Sequence, residues 1–106
     1  MDNYSSPRVS VVIPNFNRGY CIGRAIQSVV DQTYKNWELI VVDNNSMDNS
    51  LEIINNFNDQ RIFVLQTENN GIIARSRNIG ISKARGEYVA FLDSDDWWLI
   101  NKLQDS

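Results

Sequence analysis

The chain has 106 residues, 42% of them hydrophobic and 22% charged, which suits one small folded domain spanning residues 1–106, excludes a disordered chain and is short for a complete α/β enzyme. A formal net charge of -3 lacks the broad basic surface of a nonspecific nucleic-acid binder, so no nucleic-acid partner is expected. No apolar run approaches the roughly 20 residues of a membrane span, and the polar start Met1-Asp-Asn-Tyr-Ser-Ser is no signal peptide, so the expected location is the cytoplasm.

Residues 1–8 are expected to be flexible, and order begins with Val9-Ser-Val-Val-Ile13, a nearly continuous β-branched run that suits a strand buried on both faces and stopped by Pro14. A polar turn, Asn15-Phe-Asn-Arg-Gly19, precedes Ile22, Ile26, Val29 and Val30 at helical spacing, which predicts a helix over residues 20–31. Trp37 to Val42 reads as the second strand, and Asp43-Asn-Asn-Ser46 follows it. Leu51, Ile53, Ile54 and Phe57 mark a second helix, Ile62 to Leu65 a third strand, Ile73 to Ala84 a third helix, and Tyr88 to Leu92 a fourth strand. The alternation βαβαβαβ predicts an α/β fold, a mainly parallel sheet with helices on both faces.

The fourth strand ends in Asp93, Ser94, Asp95 and Asp96. If extended geometry persists for two more residues, Asp93 and Asp95 point to the same side, and two carboxylates with open positions suit Mg²⁺ or Mn²⁺ when a substrate phosphate supplies further oxygens. The competing reading is a polar loop in which Asp96 caps a helix starting at Trp97. Both polar clusters sit at carboxyl ends of strands, where open sheets of this kind collect ligands. Neither a Gly-x-Gly-x-x-Gly after the first strand nor a Gly-Lys-Ser/Thr loop is present, so a bound diphosphate must be held by metal. With no histidine the chain holds no Ser-His-Asp or Cys-His centre, and the chemistry left is that of carboxylates. Cys21 is lone, and near a helix start it is either an activated thiol or a small packed residue.

Four segments in order, Val9-Ser-Val-Val-Ile-Pro-Asn-Phe-Asn17, Val41-Val-Asp-Asn-Asn-Ser-Met-Asp48, Ala74-Arg-Ser-Arg-Asn-Ile-Gly80 and Gly86-Glu-Tyr-Val-Ala-Phe-Leu-Asp-Ser-Asp-Asp96, resemble the successive motifs of the family 2 inverting glycosyltransferases. Each is weakly specific alone; together they cover nearly the whole chain, but only the amino-terminal half of that family's catalytic domain. The resemblance implies a partial GT-A domain with a Rossmann-like sheet, and a nucleoside-diphosphate sugar bound with Mn²⁺ or Mg²⁺. It also implies transfer to a glycan, lipid or protein acceptor, as in polysaccharide biosynthesis.

Residue by residue, the resemblance matches Asp93 and Asp95 to the outer carboxylates of the Asp-X-Asp motif, Asp95 as the direct metal ligand and Asp93 facing the metal, sugar or ribose. Pro14 and Phe16 match the segment beside the base, where an aromatic ring stacks; the alternative for Phe16 is a core role. Asp43 and Asn44 fall where the family often has two aspartates, and Asn44 leaves the base open among uridine, thymidine and guanosine, because an amide both donates and accepts. Asp43 reads the nucleotide or is structural. Arg77 reaches the nucleotide, braces Asp43 or Asp93, or lies on a solvated helix face. Gly80 implies close approach of its helix to the sheet, and Trp97 and Trp98 are expected to divide between packing and the sugar side.

No catalytic base is assigned within the chain; the family supplies an aspartate beyond the Asp-X-Asp motif, which places it past residue 106. The chain therefore reads as a fragment expected to self-associate through its truncated face, its full-length form cytoplasmic or at the inner face of a membrane. A nonenzymatic nucleotide-binding or interaction module is the alternative.

Overall fold

The computed structural model describes residues 7–68 and 72–104. Most of the segment expected to be flexible, residues 1–6, lies outside these, while Arg8 is already tied down: its amide donates to the Asn36 carbonyl (3.1 Å) and its carbonyl accepts from Tyr88 (3.0 Å). Seven elements follow in the expected alternation: β1 Val9–Asn15, α1 Gly19–Val30, β2 Trp37–Asn44, α2 Ser50–Asn55, β3 Ile62–Thr67, α3 Ile73–Lys83 and β4 Tyr88–Phe91. The strands form one sheet in the order β3-β2-β1-β4, every neighbouring pair parallel.

Side-chain alternation divides the sheet into two faces. Val11, Ile13, Leu39 and Val41 meet Ile22, Ala25, Ile26 and Val29 of α1 and Ile54 of α2 in the main core. Each such buried Val, Leu or Ile side chain stabilises the fold by about 1.5–3 kcal/mol. Val12, Ile40 and Val42 on the opposite face meet Ile79 of α3. Gly80 permits that contact, since a Cβ built there would stand 2.4 Å from Val12 Cγ1. The expected close approach of helix and sheet is therefore present.

Several boundaries differ from the sequence reading, among them β3, which runs on past Leu65 to Thr67, and β4, which stops at Phe91 instead of Leu92. β1 does not stop at Pro14 but pairs through Pro14 and Asn15 with Val42 and Asp43. The Val12 carbonyl faces β4 and accepts from Leu92 (3.1 Å). Pro14, two residues on, therefore turns its missing N–H to the same side, beyond the last pair Val12 and Phe91, and no ladder bond is lost. β2 likewise runs on through Asp43 and Asn44, paired with Gln66 and Thr67. The helix expected from Trp97 is absent: residues 100–104 are turns, clamped by Gln32, whose amide donates to the Leu99 carbonyl (2.6 Å) and accepts from the Leu103 N–H (2.9 Å).

Glu38 faces inward at the opposite end of the strands and is almost wholly buried. Its carboxylate accepts from the Ser10 hydroxyl (2.6 Å), the Arg85 N–H (2.7 Å) and the Arg85 guanidinium (3.0 Å), while Ser10 Oγ accepts from Gly86 N–H (2.8 Å). One carboxylate thus joins β1, β2 and the turn that leads into β4. Burial alone would raise its pKa, but the bonds from Arg85 and Ser10 together hold it below the usual glutamate range.

Candidate functional site

The carboxyl ends of β1 and β2 continue into two loops that are bonded to each other. Fully buried Asp43 accepts from Asn15 Nδ2 (2.9 Å), the Ser46 N–H (3.0 Å) and the Ser46 hydroxyl (2.7 Å). Ser46 Oγ in turn accepts from the Asn17 N–H (2.9 Å), and Asn17 Oδ1 accepts from the Met47 N–H (2.7 Å). Asn17 and Asn45 occupy left-handed backbone (φ 52° and 51°), which asparagine tolerates better than most side chains. Asp48 accepts from the Gly19 N–H at the start of α1 and from the Ser50 N–H (2.9 Å each) and the Ser50 hydroxyl, which holds its carboxyl below the usual aspartate range. A Cβ at Gly19 would lie 2.1 Å from Asn49 Oδ1, so a larger residue there would push the Asn49 side chain aside.

Phe16, Pro14 and Asn44 line a cavity of about 150 Å³ at this end, with Arg18, Ile73, Ser76 and Ser94. A second cavity of about 380 Å³ shares Pro14, Arg18, Ile73 and Ser94 with it and adds Ala74, Arg77, Asp93 and Asp95. The two form one cleft. Six of the seven residues singled out in the sequence line it: Pro14, Phe16 and Asn44 at one end, Arg77, Asp93 and Asp95 at the other. Asp43 lies behind the wall and organises the loops.

Asp93 and Asp95 reach the same cavity by a turn rather than by continued strand. β4 ends at Phe91, and the Asp93 carbonyl accepts from the Asp96 N–H (3.0 Å), so residues 93–96 fold back with Ser94 buried beneath them. Asp96 is exposed, and its carboxylate meets the Trp97 N–H (2.8 Å). Arg77 NH2 pairs with Asp93 Oδ1 (3.1 Å) while its guanidinium stands 5.4 Å from the Phe91 ring centroid. Trp98 packs against the main core; Trp97 stays half exposed with the Arg24 guanidinium 4.0 Å over its ring. Cys21 is buried in α1, where burial first and then the Asp95 charge push its thiol pKa up, as expected of a packed residue and not of an activated one.

The donor set suits a hard divalent ion. Asp95 makes no side-chain hydrogen bond or ion pair among the described residues, and Arg77 engages one oxygen of Asp93. Among the described residues no group of three or more His, Cys, Asp or Glu side chains forms a complete metal cage. An ion here would complete its shell with ligand oxygens, as Mg²⁺ and Mn²⁺ do with phosphates. Two buried polar atoms near the cleft, Asn15 Oδ1 and Arg77 Nε, lack partners among the described residues. The first follows from Asp43, whose carboxylate can only accept and so fixes the Asn15 amide with its nitrogen inward. Asn15, Asn17, Arg18, Ser46 and Asp48 were not singled out in the sequence; the signal available was the density of Asn, Asp and Ser at two strand ends, side chains suited to bonding nearby backbone N–H groups.

Comparison with known proteins agrees with this geometry. A UDP-Glc:alpha-D-GlcNAc-diphosphoundecaprenol beta-1,3-glucosyltransferase of Escherichia coli, WfgD, is 43% identical over 104 residues, covering 98% of this chain and 40% of the relative. The glycosyltransferase GlyG of Streptococcus pneumoniae is 45% identical over 93 residues, or 86% of this chain and 31% of that protein. The chain thus spans less than half the length of these curated relatives. Among solved structures, S. aureus TarS 1-349 superposes with a TM-score of 0.88 at 32% identity, covering 92% of this chain and 30% of that one, and it has also been solved with UDP and with UDP-GlcNAc. The mannosyltransferase PcManGT from Pyrobaculum calidifontis, in complex with GDP-Man and Mn²⁺, superposes with a TM-score of 0.78 at 27% identity, covering 92% and 30%. The fold is that of the GT-A glycosyltransferases. Residues 10–105 match the family description "Glycosyl transferase family 2", and the chain belongs to that family.

Proposed function

We propose that this chain is the donor-binding half of an inverting glycosyltransferase that takes a nucleoside-diphosphate sugar with Mn²⁺ or Mg²⁺. The observation that carries the reading is the single cleft with an exposed aromatic ring and an amide at one end and two carboxylates at the other. That is the layout a base, a diphosphate and a metal require in line. Phe16 stacks on the base beside Pro14, and Asn44 contributes the polar contact. Asp95 holds the metal, and Asp93, oriented by Arg77, completes the metal site or meets the sugar. The ion supplies electrophilic neutralisation of the departing diphosphate, a role that needs no histidine. Nucleotide and nucleotide-sugar complexes of TarS and PcManGT support this donor class.

The general base for an inverting transfer is assigned to the part of the relatives' length that these residues do not span. By analogy with the lipid-linked acceptor in the WfgD name, the acceptor is a membrane-anchored sugar used in polysaccharide assembly at the inner membrane face. No helix among the described residues is long and apolar enough to cross a membrane.

Calorimetric titration with UDP, TDP and GDP, with Mn²⁺ and with EDTA, tests the reading. One of the three is expected to bind in Mn²⁺, and Asp95→Asn, which removes a charged oxygen ligand but keeps the shape, is expected to weaken binding at least about tenfold. Equal affinity in EDTA and Mn²⁺ would remove the metal from the account. Binding of none of the three would remove the nucleotide.

A further inference from the structure

The two cavities meet at Arg18, and this residue has no role in the site as built so far. It immediately precedes α1, at the end where peptide dipoles disfavour a cation. It makes no side-chain cap; Asp48 binds the Gly19 N–H instead. Its carbonyl accepts from the Cys21 and Ile22 N–H groups (2.9 and 2.8 Å), but its side chain contributes nothing to the helix. One guanidinium nitrogen donates to the Tyr20 hydroxyl (2.5 Å), with the Tyr20 ring 6.0 Å away, which leaves the rest of a five-donor fork uncommitted. Among the described residues Arg18 forms no salt bridge, although the charge of Asp95 reaches its guanidinium.

Arg77 is engaged by Asp93, and Arg24 lies over Trp97. Of the cations beside the carboxylates, Arg18 alone combines an uncommitted fork with a position on both cavities. The charges lining the cleft are Asp93 and Asp95 against Arg77 and Arg18, so without Arg18 and before a metal binds the cleft carries a net negative charge that opposes an anion. We propose that Arg18 is a second, metal-independent anchor for the diphosphate of the donor, gripping its oxygens between the base end and the carboxylate end. This rests on the nucleotide-sugar reading above.

The test uses the whole chain, as wild type, Arg18→Ala and Arg18→Lys, titrated in Mn²⁺ with UDP and GDP by calorimetry and with uridine and guanosine by ligand-observed NMR. Mn²⁺ binding without nucleotide is followed by EPR. Arg18→Ala is expected to weaken the diphosphate about tenfold, the scale of a lost charge-assisted hydrogen bond, with nucleoside binding unchanged, Mn²⁺ binding undiminished and Arg18→Lys in between. An equal loss for nucleoside and diphosphate would make Arg18 a loop-shaping residue and overturn the proposal, as would unchanged diphosphate affinity. A loss traced to weaker Mn²⁺ binding would overturn it too. Failure of the wild type to bind either diphosphate would instead sink the functional reading, and Arg18 with it.

Discussion

Phe16 leaves 47% of its surface in water although it follows directly on a strand whose other residues are nearly all buried. An exposed ring adds little to the core, so Phe16→Ala is expected to leave the melting temperature within a degree or two of wild type. Loss of a stacked base should weaken nucleotide binding by about 1–3 kcal/mol. A lowered melting temperature with unchanged affinity would return Phe16 to the core. Residue type and strand-end position in the sequence pointed to Asp93 and Asp95, while Pro14, Phe16, Asn44 and Arg77 were singled out by their match to the motifs of the family. Neither separated the two readings of Asp43. A carboxylate that binds a ligand and one that ties two loops together are written alike, and only its complete burial behind Asn15 and Ser46 distinguishes them.

At the scale of elements, Glu38 shows what periodicity leaves out. The run Trp37 to Val42 announced a buried strand, and a glutamate inside it is the one residue that such a strand cannot accept without partners. Those partners, Ser10 and Arg85, are far away in sequence and invisible to any local pattern. Because the folded pKa of Glu38 is depressed, its contribution to stability is present above the ordinary glutamate pKa and is lost as pH falls through the lower folded value. Glu38→Gln should cost about 1–3 kcal/mol at neutral pH, and the gap to wild type should close on acidification below the usual glutamate range. Urea unfolding at a series of pH values reads both; a gap independent of pH would exclude the carboxylate as its source. Strand ends were misjudged for the same non-local reason, since Pro14 stays in β1 because β4 stops short of it. The expected terminal helix gave way to turns held by Gln32, a contact from the loop after α1 that no helix-capping signal near Trp97 reveals.

At the scale of the molecule, the alternation of strands and helices was legible, while the order β3-β2-β1-β4 was not, because the return of β4 to the far side of β1 is set by packing over the whole sheet. Among the described residues β4 pairs on one side only and exposes Tyr88, Val89 and Phe91; Trp97, Leu99 and Ile100 add to the apolar surface beyond it. A strand apolar on both faces with an unpaired edge recruits a partner. The isolated chain is expected to self-associate, and sedimentation equilibrium over a wide concentration range checks it. A monomeric mass throughout, with tryptophans shielded from a soluble quencher, would show that these residues close their own surface.

The cleft is walled by Pro14 to Arg18 where β1 ends and by Asp93 to Asp95 where the chain leaves β4, two segments joined covalently only through almost the entire sequence. A ligand gripped at both ends acts as a non-covalent staple across that long loop. It ties down β4, the shorter of the two edge strands, and makes occupancy and the integrity of the sheet linked equilibria. Nucleotide with Mn²⁺ should accordingly slow amide exchange in β4 more than in β2, and uniform slowing along the sheet would show that the ligand leans on one end of the cleft alone.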